Sequence, residues 1–227
     1  MPDRPINGVF QVITRREFLA SASALAIVAS LNLDLATPAL AQGPTELMVP
    51  PVLGEMWLGK EDAPITIVEY ASLWCSHCGA FHKEVFHDLK KRYIDTGKVR
   101  FIFREFPIND RGALGSMLAR CAGKDNKDRF FAMVDMLFEN QNNWAYVQDP
   151  IPPLLAMAKQ AGFTEQSFNA CIKDTNLLKG LEAEQNRASN KFKVEATPTL
   201  FINGKPLMRG VRNIDDLAKE LDPLIKS

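Results

Sequence analysis

The sequence has 227 residues, which is enough for one domain with an insertion or for two small domains. Its 27 lysines and arginines balance 27 aspartates and glutamates, and no basic run stands out along the chain. This even charge argues against a nucleic-acid-binding protein and against attachment to an anionic membrane surface.

Residues 1–41 have the pattern of an export signal. Charged residues extend to Arg16, an apolar stretch covers residues 18–33, and Ala39-Leu40-Ala41 fits a cleavage site. A membrane anchor is the alternative, but polar residues interrupt a stretch that is already shorter than the roughly 20 apolar residues of a membrane-spanning helix. We therefore expect export followed by cleavage after Ala41.

Residues 14–19, Thr-Arg-Arg-Glu-Phe-Leu, resemble the twin-arginine signal that directs folded proteins across a bacterial inner membrane. Ala20 departs from that pattern, in which lysine is usual, and arginine pairs also occur in ordinary export signals. By either route the mature chain is expected in the periplasm, a compartment in which disulfides persist.

The first part of the mature chain alternates between strand and helix patterns. Residues 42–64 are predicted to be a lead-in segment, rich in proline and glycine, with one short strand at 55–58. Residues 65–70 and 99–106 read as strands, and between them apolar residues recur at helical spacing to about Tyr93. Strand, helix and strand with a short return predict a βαβ unit whose two strands are parallel neighbours.

Residues 111–191 are almost entirely helical in pattern, with breaks expected at Asn142-Asn143 and Asp149-Pro150 and an N-cap at Thr164. No repeat or low-complexity tract is found in this stretch. The central part of the chain is therefore predicted to be a set of helices that separates two groups of strands.

The strand pattern returns at residues 199–202. Asn203-Gly204 is a strong hairpin signal, 206–209 reads as the partner strand, and Asn213 can cap a last helix over 214–225. The predicted order is thus βαβ, a helical insertion, then ββα, which is an α/β fold.

The Cys75-Ser76-His77-Cys78 turn lies where the first strand meets its helix. A CxxC motif can hold a metal, staple a turn or transfer electrons. At a helix N-terminus, free N–H groups and the helix dipole favour a thiolate at Cys75, and a protonated His77 would add to this preference. Cys75 is then the nucleophile, and Cys78, deeper in the helix, is the shielded resolving thiol.

Two further positions bear on this turn. Glu69 lies in an apolar strand six residues before Cys75, where burial would raise its pKa and suit it to accept a proton from Cys78. A Glu69 that faces solvent is an equally good interpretation. Pro198, just before a strand, is either an ordinary trans residue or a cis one, and cis is the rarer form.

Four blocks in this order resemble the DsbA-like branch of the thioredoxin superfamily, of the type found in alphaproteobacteria and in BdbD proteins. The blocks are Gly59 with residues 63–70, Cys75-Ser76-His77-Cys78, Arg104-Glu105-Phe106-Pro107, and Thr197-Pro198-Thr199 with Asn203-Gly204. The resemblance covers nearly all of residues 55–222. It implies a thioredoxin fold built from residues 65–110 and 192–227 and interrupted by an α-helical domain over 111–191.

The resemblance also implies the chemistry of the site. Its catalytic residues would be the nucleophile Cys75, the resolving Cys78, His77 between them, a buried acid at Glu69, and Thr197 followed by a cis Pro198 beside the sulfurs. Apolar surface near Trp74 and Pro198 would bind the substrate. The redox-active disulfide itself would serve in place of a cofactor, with no metal.

The expected partners are reduced or unfolded exported polypeptides and a membrane-bound redox protein that restores the disulfide, and the chain is expected to be a monomer. Two departures from the family pattern concern oxidising strength. Ser76-His77 stands where the best-known oxidases have Pro-His, and Thr197 resembles the isomerase branches and some Gram-positive and alphaproteobacterial proteins.

Cys121 and Cys171 fall on predicted helices of the insertion, and three interpretations compete. They are buried free thiols, a structural disulfide, or metal ligands together with the CxxC motif. Export and an even number of cysteines favour the disulfide, and the resemblance suggests a second bridge in this region.

An exported thiol:disulfide oxidoreductase that forms disulfides is the leading hypothesis. An isomerase or reductase is the alternative with the same chemistry, but only 23 residues separate Ala41 from Ile65, too few for the dimerisation domain of isomerases. A metal carrier using Cys75, Cys78, His77 and His82 is the alternative of a different class. In the oxidoreductase hypothesis, His82 is a partly exposed side chain without a metal.

Overall fold

The computed structural model describes residues 46–124, 126–208 and 210–225. The predicted export signal and its cleavage site lie outside the described residues. Within the described ranges, no helix is both long enough and apolar enough to cross a membrane.

A five-stranded mixed sheet carries hydrophobic clusters on both faces. Its strands are β1 (Met56–Leu58), β2 (Ile65–Ala71), β3 (Val99–Glu105), β4 (Thr199–Ile202) and β5 (Lys205–Pro206). They lie in the order β1-β3-β2-β4-β5. Strands β2 and β3 are parallel and the other pairs are antiparallel, so the predicted pairing of the βαβ unit is confirmed.

Helix α1, which follows β2, covers residues 76–94 without a break and includes two stretches of wider, π-helical turns, His82–Phe86 and Lys90–Ile94. The helices that follow α1 in the described residues are α2 (Asp110–Gly123), α3 (Lys127–Glu139), α4 (Gln141–Trp144), α5 (Ile151–Gln160), α6 (Glu165–Ile172), α7 (Thr175–Phe192) and α8 (Ile214–Ile225). Helices α2 to α7 separate β3 from β4, as the helical pattern predicted.

Side-chain caps fix several helix ends. Thr164 accepts the Ser167 N–H at 3.0 Å and Ser167 returns the bond, so the predicted N-cap of α6 is confirmed. Asn213 likewise accepts the Asp216 N–H at 3.0 Å. The predicted break at Asn142-Asn143 is wrong, because these residues belong to α4. The helix before them, α3, ends at Glu139, and the side-chain amide of its C-cap residue Asn140 donates to the Met136 carbonyl at 2.9 Å.

The hairpin at the end of the sheet is shorter than predicted. Strand β5 contains only Lys205 and Pro206, and it is the edge strand of the sheet, a position where proline is tolerated. The Leu207 N–H still donates to the Leu200 carbonyl at 2.8 Å. Arg209, the predicted end of this strand, lies outside the described residues.

Alternation along β2 divides the core. Ile65, Ile67 and Ala71 belong to the large cluster that also contains apolar residues of α1 and of the helices between β3 and β4. Val68 and Tyr70 point to the other face, toward a smaller cluster that includes Ala188 of α7. One hydrophobic cluster thus contains residues of the strands and residues of the inserted helices. This packing does not mark a boundary between a thioredoxin-like domain and a helical domain, so the division into two domains stays a prediction.

A buried charge network ties the lead-in segment to the sheet. The Arg104 side chain, fully shielded from solvent, donates to both carboxylate oxygens of Glu55, at 3.0 and 2.8 Å. It also donates to the Tyr70 hydroxyl at 2.9 Å, which in turn donates to Glu184 of α7 at 3.0 Å. Arg104 therefore holds residues from the lead-in segment, β2 and α7 together.

Cys121 of α2 and Cys171 of α6 form a disulfide with an S–S distance of 2.13 Å. Of the three interpretations of this pair, the structure contains the bonded one. The bond closes a loop across 50 residues of the insertion. Such a cross-link restricts the unfolded chain and so stabilises the helical insertion.

Candidate active site

The CxxC turn follows directly from the end of β2. Cys75 is the N-cap of α1, with an extended backbone, and its N–H donates to the Ser72 carbonyl at 3.0 Å. Cys78 lies in the first turn of the helix and is fully buried, whereas Cys75 is 7% exposed. The two cysteines are not bonded to each other, so the pair is a dithiol in this structure.

Hydrogen bonds lower the pKa of Cys75. The Cys78 thiol is the main cause that lowers the pKa of Cys75 from 9.0 to about 5. Burial acts in the opposite direction, but hydrogen bonds from the Thr197 side chain and from the N–H groups of Cys78 and His77 add to the lowering. His77 thus acts through its backbone, while its side chain is exposed. Cys75 is accordingly a thiolate at neutral pH.

The pKa values of Cys78 and Glu69 are raised, in contrast to that of Cys75. Burial, with the nearby sulfur of Cys75 and the charge of Glu69, raises the pKa of Cys78 well above 9.0. Glu69 is only 3% exposed, and burial together with the Cys75 charge raises its pKa to about 8. Residue 69 shares a face of β2 with Ile65 and Ile67, the face on which α1 packs. The alternative of a solvent-facing Glu69 is therefore wrong.

The sheet order brings residues 197 and 198 to the cysteines. Strand β4 pairs with β2 so that Thr199 lies opposite Tyr70, near the end of β2 from which the CxxC turn leaves. The Thr197-Pro198 peptide bond is cis. The Cys75 sulfur lies 3.3 Å from the Thr197 carbonyl oxygen, to which the protonated thiol donates.

Trp74 and Pro198 line two different depressions. Pro198 shares one with His77 and Phe81 of α1 and with apolar residues near β5. Trp74 borders another with Arg111 and Tyr146. The apolar surface expected to bind substrate is therefore divided, and the depression at Pro198 opens beside the cysteine-bearing turn.

The inserted helices support the turn through residues that sequence reasoning missed. Gln141 of α4 is buried and donates from its side chain to the carbonyls of Leu73 and Cys75, at 2.8 and 2.9 Å. The Trp74 indole donates to the Ala145 carbonyl at 3.0 Å. The run of polar residues around position 141 gives no sign of this role, because such runs are typical of loops.

Gly79 is the residue that lets Gln141 come so close. A Cβ added at Gly79 would lie 2.4 Å from the Gln141 side-chain oxygen. We expect Gly79→Ala to displace Gln141 from the two carbonyls and to lower the free energy of unfolding by about 1–3 kcal/mol in chemical denaturation. In a Gln141→Ala background the same change should cost nothing, because the clash is gone and alanine favours helix. An equal cost in both backgrounds would contradict this explanation.

His82 lies away from the position that the metal-carrier hypothesis required. Its ring stacks on Phe86 with centroids 4.7 Å apart and is tilted against Phe138 at 4.9 Å. The residue is buried, so the expectation of a partly exposed side chain is wrong. Among the described residues, the group whose ligand atoms come together with His82 consists of His87 and Glu139, without either cysteine of the CxxC motif.

Comparison with known proteins agrees with this geometry. The sequence model of the family described as Thioredoxin matches residues 52–222. A Rickettsia felis protein, provisionally named a protein-disulfide oxidoreductase, is 30% identical over 172 residues, 76% of this chain and 60% of that protein. Disulfide bond formation protein D of Bacillus subtilis is 28% identical over 182 residues, 78% of this chain and 80% of that protein.

The chain spans about three fifths of the length of the rickettsial relatives that it matches. Among solved structures, alpha-DsbA1 of Wolbachia pipientis is similar with a TM-score of 0.72 and 31% identity. That similarity covers 81% of this chain and 96% of the Wolbachia protein. The chain therefore belongs to the thioredoxin family and, within it, is a DsbA-like protein.

Proposed function

We propose that the chain is an exported thiol:disulfide oxidoreductase that forms disulfides in other proteins. The observation that carries the proposal is the pairing of an acidic, N-cap Cys75 with a shielded Cys78 of high pKa. A thiolate at Cys75 stabilises the reduced enzyme, and this makes its disulfide a stronger oxidant. Each pKa unit of such stabilisation corresponds to about 30 mV for a two-electron couple.

The proposed reaction starts from a Cys75–Cys78 disulfide. A substrate thiolate attacks the Cys75 sulfur, the bond to Cys78 breaks, and Cys78 leaves and takes a proton. A second substrate thiolate then attacks the substrate sulfur of the mixed disulfide, and Cys75 leaves as a thiolate. The substrate gives up two electrons and gains one disulfide, and the enzyme is left with a reduced pair.

Glu69 is the proposed proton carrier for Cys78. With a pKa of about 8 it still holds a proton at neutral pH, which it gives to the leaving Cys78. During reoxidation the same carboxylate accepts that proton when Cys78 attacks a mixed disulfide. Reduced or unfolded exported polypeptides are the proposed substrates and would bind in the depression at Pro198. A membrane-bound protein is the proposed source of oxidising equivalents.

The proposal is tested by mixing the oxidised chain with a reduced, unfolded protein that has two cysteines. We expect one substrate disulfide to form for each Cys75–Cys78 pair reduced. The equilibrium constant with glutathione distinguishes an oxidase from a reductase. A value far on the oxidising side supports an oxidase, and a potential near the roughly −270 mV of thioredoxin would show a reductase instead.

Replacing Glu69 by glutamine should stabilise the reduced protein in a pH-dependent way. Because its pKa is raised on folding, Glu69 keeps a proton that the unfolded chain loses, so stability falls between pH 4.5 and about 8. Glu69→Gln removes this cost and should raise the free energy of unfolding by on the order of 2–4 kcal/mol at pH 8. Urea unfolding at several pH values measures it.

The exposed Glu84 of α1 offers a matched control. Glu84→Gln makes the same chemical change outside the core and should leave the pH dependence of unfolding unaltered. Disulfide transfer by Glu69→Gln should be slower than in the parent, because Cys78 loses its proton carrier. A Glu69→Gln protein with unchanged pH dependence and unchanged rate would refute the proposed role.

A further inference from the structure

One group of potential metal ligands lies outside the redox site, between α1 and α3. It consists of His82 and His87 on α1 and Glu139 at the end of α3, and one ligand atom from each lies within 4.8 Å of the others. His82 is buried, whereas His87 and Glu139 are about half exposed. The group therefore has a fixed inner ligand and two outer ligands that solvent can reach.

The backbone of α1 explains how the two histidines meet. Residues five apart in an α-helix diverge by about 140° around the axis. The stretch His82–Phe86 is π-helical, and its wider turn brings position 87 back over position 82. Such turns are rare and are found often at functional sites.

One distance in the group is close to the separation of two ligands around a bound ion. His87 Nε2 and Glu139 Oε1 lie 3.4 Å apart. Two ligands of a tetrahedral zinc ion with bonds of about 2.0–2.1 Å are separated by about 3.3 Å. Small rotations of the half-exposed His87 and Glu139 side chains would complete the approach to His82.

A second observation comes from the buried end of the group. His82 Nε2 lies 2.9 Å from Asp135 Oδ1 of α3, but the two are not aligned for a hydrogen bond, so neither buried atom has a hydrogen-bond partner among the described residues. The His82 side chain is only 5% exposed. Leaving buried polar atoms unsatisfied is costly, and a cation bound by both atoms would satisfy them.

We propose that His82, His87 and Glu139 form a zinc-binding site that joins the cysteine-bearing helix to α3. Two imidazoles and one carboxylate are a ligand set that suits zinc, with a fourth position for water or Asp135. Lys83 does not compete for the carboxylate, because its ammonium donates to the backbone carbonyl of Glu139. This site is separate from the CxxC motif and does not depend on the proposed function.

Zinc binding is measured with the oxidised chain, so that Cys75 and Cys78 are bonded and cannot bind the ion. Zinc alone is titrated into the chain, and binding is monitored by calorimetry and by competition with a chromophoric chelator. We expect one zinc ion to bind per chain. Zinc should also raise the thermal unfolding temperature, because it binds the folded state and joins two helices.

Variants at the outer ligands identify the site without disturbing the core. His87→Ala and Glu139→Gln should each weaken zinc binding at least about tenfold and abolish the rise in unfolding temperature. Asp88→Asn, an exposed carboxylate next to His87 on the same helix, is the matched control and should bind like the parent. Equal zinc binding by the parent and by a His87→Ala/Glu139→Gln double variant would overturn the proposal, as would an absence of binding by the parent.

Discussion

Cys75→Ser is expected to abolish disulfide transfer. The proposed reaction needs a sulfur that can form a mixed disulfide and leave as a thiolate, and serine can do neither. Removing an enzyme's nucleophile typically lowers its rate by several orders of magnitude, and we expect a loss of at least about 10³-fold. Disulfide formation in a reduced two-cysteine substrate measures the loss.

Cys78→Ser is the informative control. It also lacks the disulfide that oxidises substrate, but it keeps Cys75 as a lone nucleophile. We therefore expect Cys78→Ser to form a mixed disulfide with oxidised glutathione and to retain it, since no resolving thiol is present. Cys75→Ser should form none at this site because the remaining thiol is fully buried. The reverse pattern would make Cys78 the nucleophile.

Of the substitutions proposed for this chain, Arg104→Met should lower the free energy of unfolding most. Arg104 neutralises Glu55 and lies 3.8 Å from Glu184, and the side chains of these two carboxylates are 8% and 5% exposed. Methionine fills much of the volume but leaves both acids buried without that cation. Removing one partner of a buried ion pair costs about 3–5 kcal/mol, which we expect as a lower free energy of unfolding in denaturant.

Arg92→Met is the control for the loss of an arginine as such. Arg92 pairs with Asp215 at 3.2 Å on the surface, where both side chains are largely exposed. Exposed ion pairs contribute little, so this variant should unfold close to the parent. Similar losses for Arg104→Met and Arg92→Met would show that burial of the network does not matter.

Much of the fold follows from local sequence patterns. The alternation along residues 65–70, the spacing of apolar residues after Cys78 and the signal at Asn203-Gly204 each reflect a local preference that the tertiary structure preserves. The caps at Thr164 and Asn213 depend on neighbouring residues alone. For this reason such elements are predictable within a few residues.

Features that depend on distant residues were not predictable in the same way. The burial of Glu69 depends on the helix that covers its face of the sheet, and the contacts of Gln141 depend on a turn 66 to 68 residues earlier. The partners of Arg104 come from three separate segments. The burial of His82 depends on contacts with Phe138 and Asp135 of α3. No local pattern places that helix against His82, and the prediction of a partly exposed side chain is wrong for this reason.

The central claim is that Cys75 ionises far more readily than an ordinary cysteine. It is tested most directly by following thiolate ultraviolet absorbance of the reduced protein as a function of pH, with Cys75→Ser as the baseline and the Cys121–Cys171 bond intact. We predict a midpoint at a pH of about 5. A midpoint near 8.5, the value of a free cysteine, would contradict the proposed basis of the enzyme's chemistry.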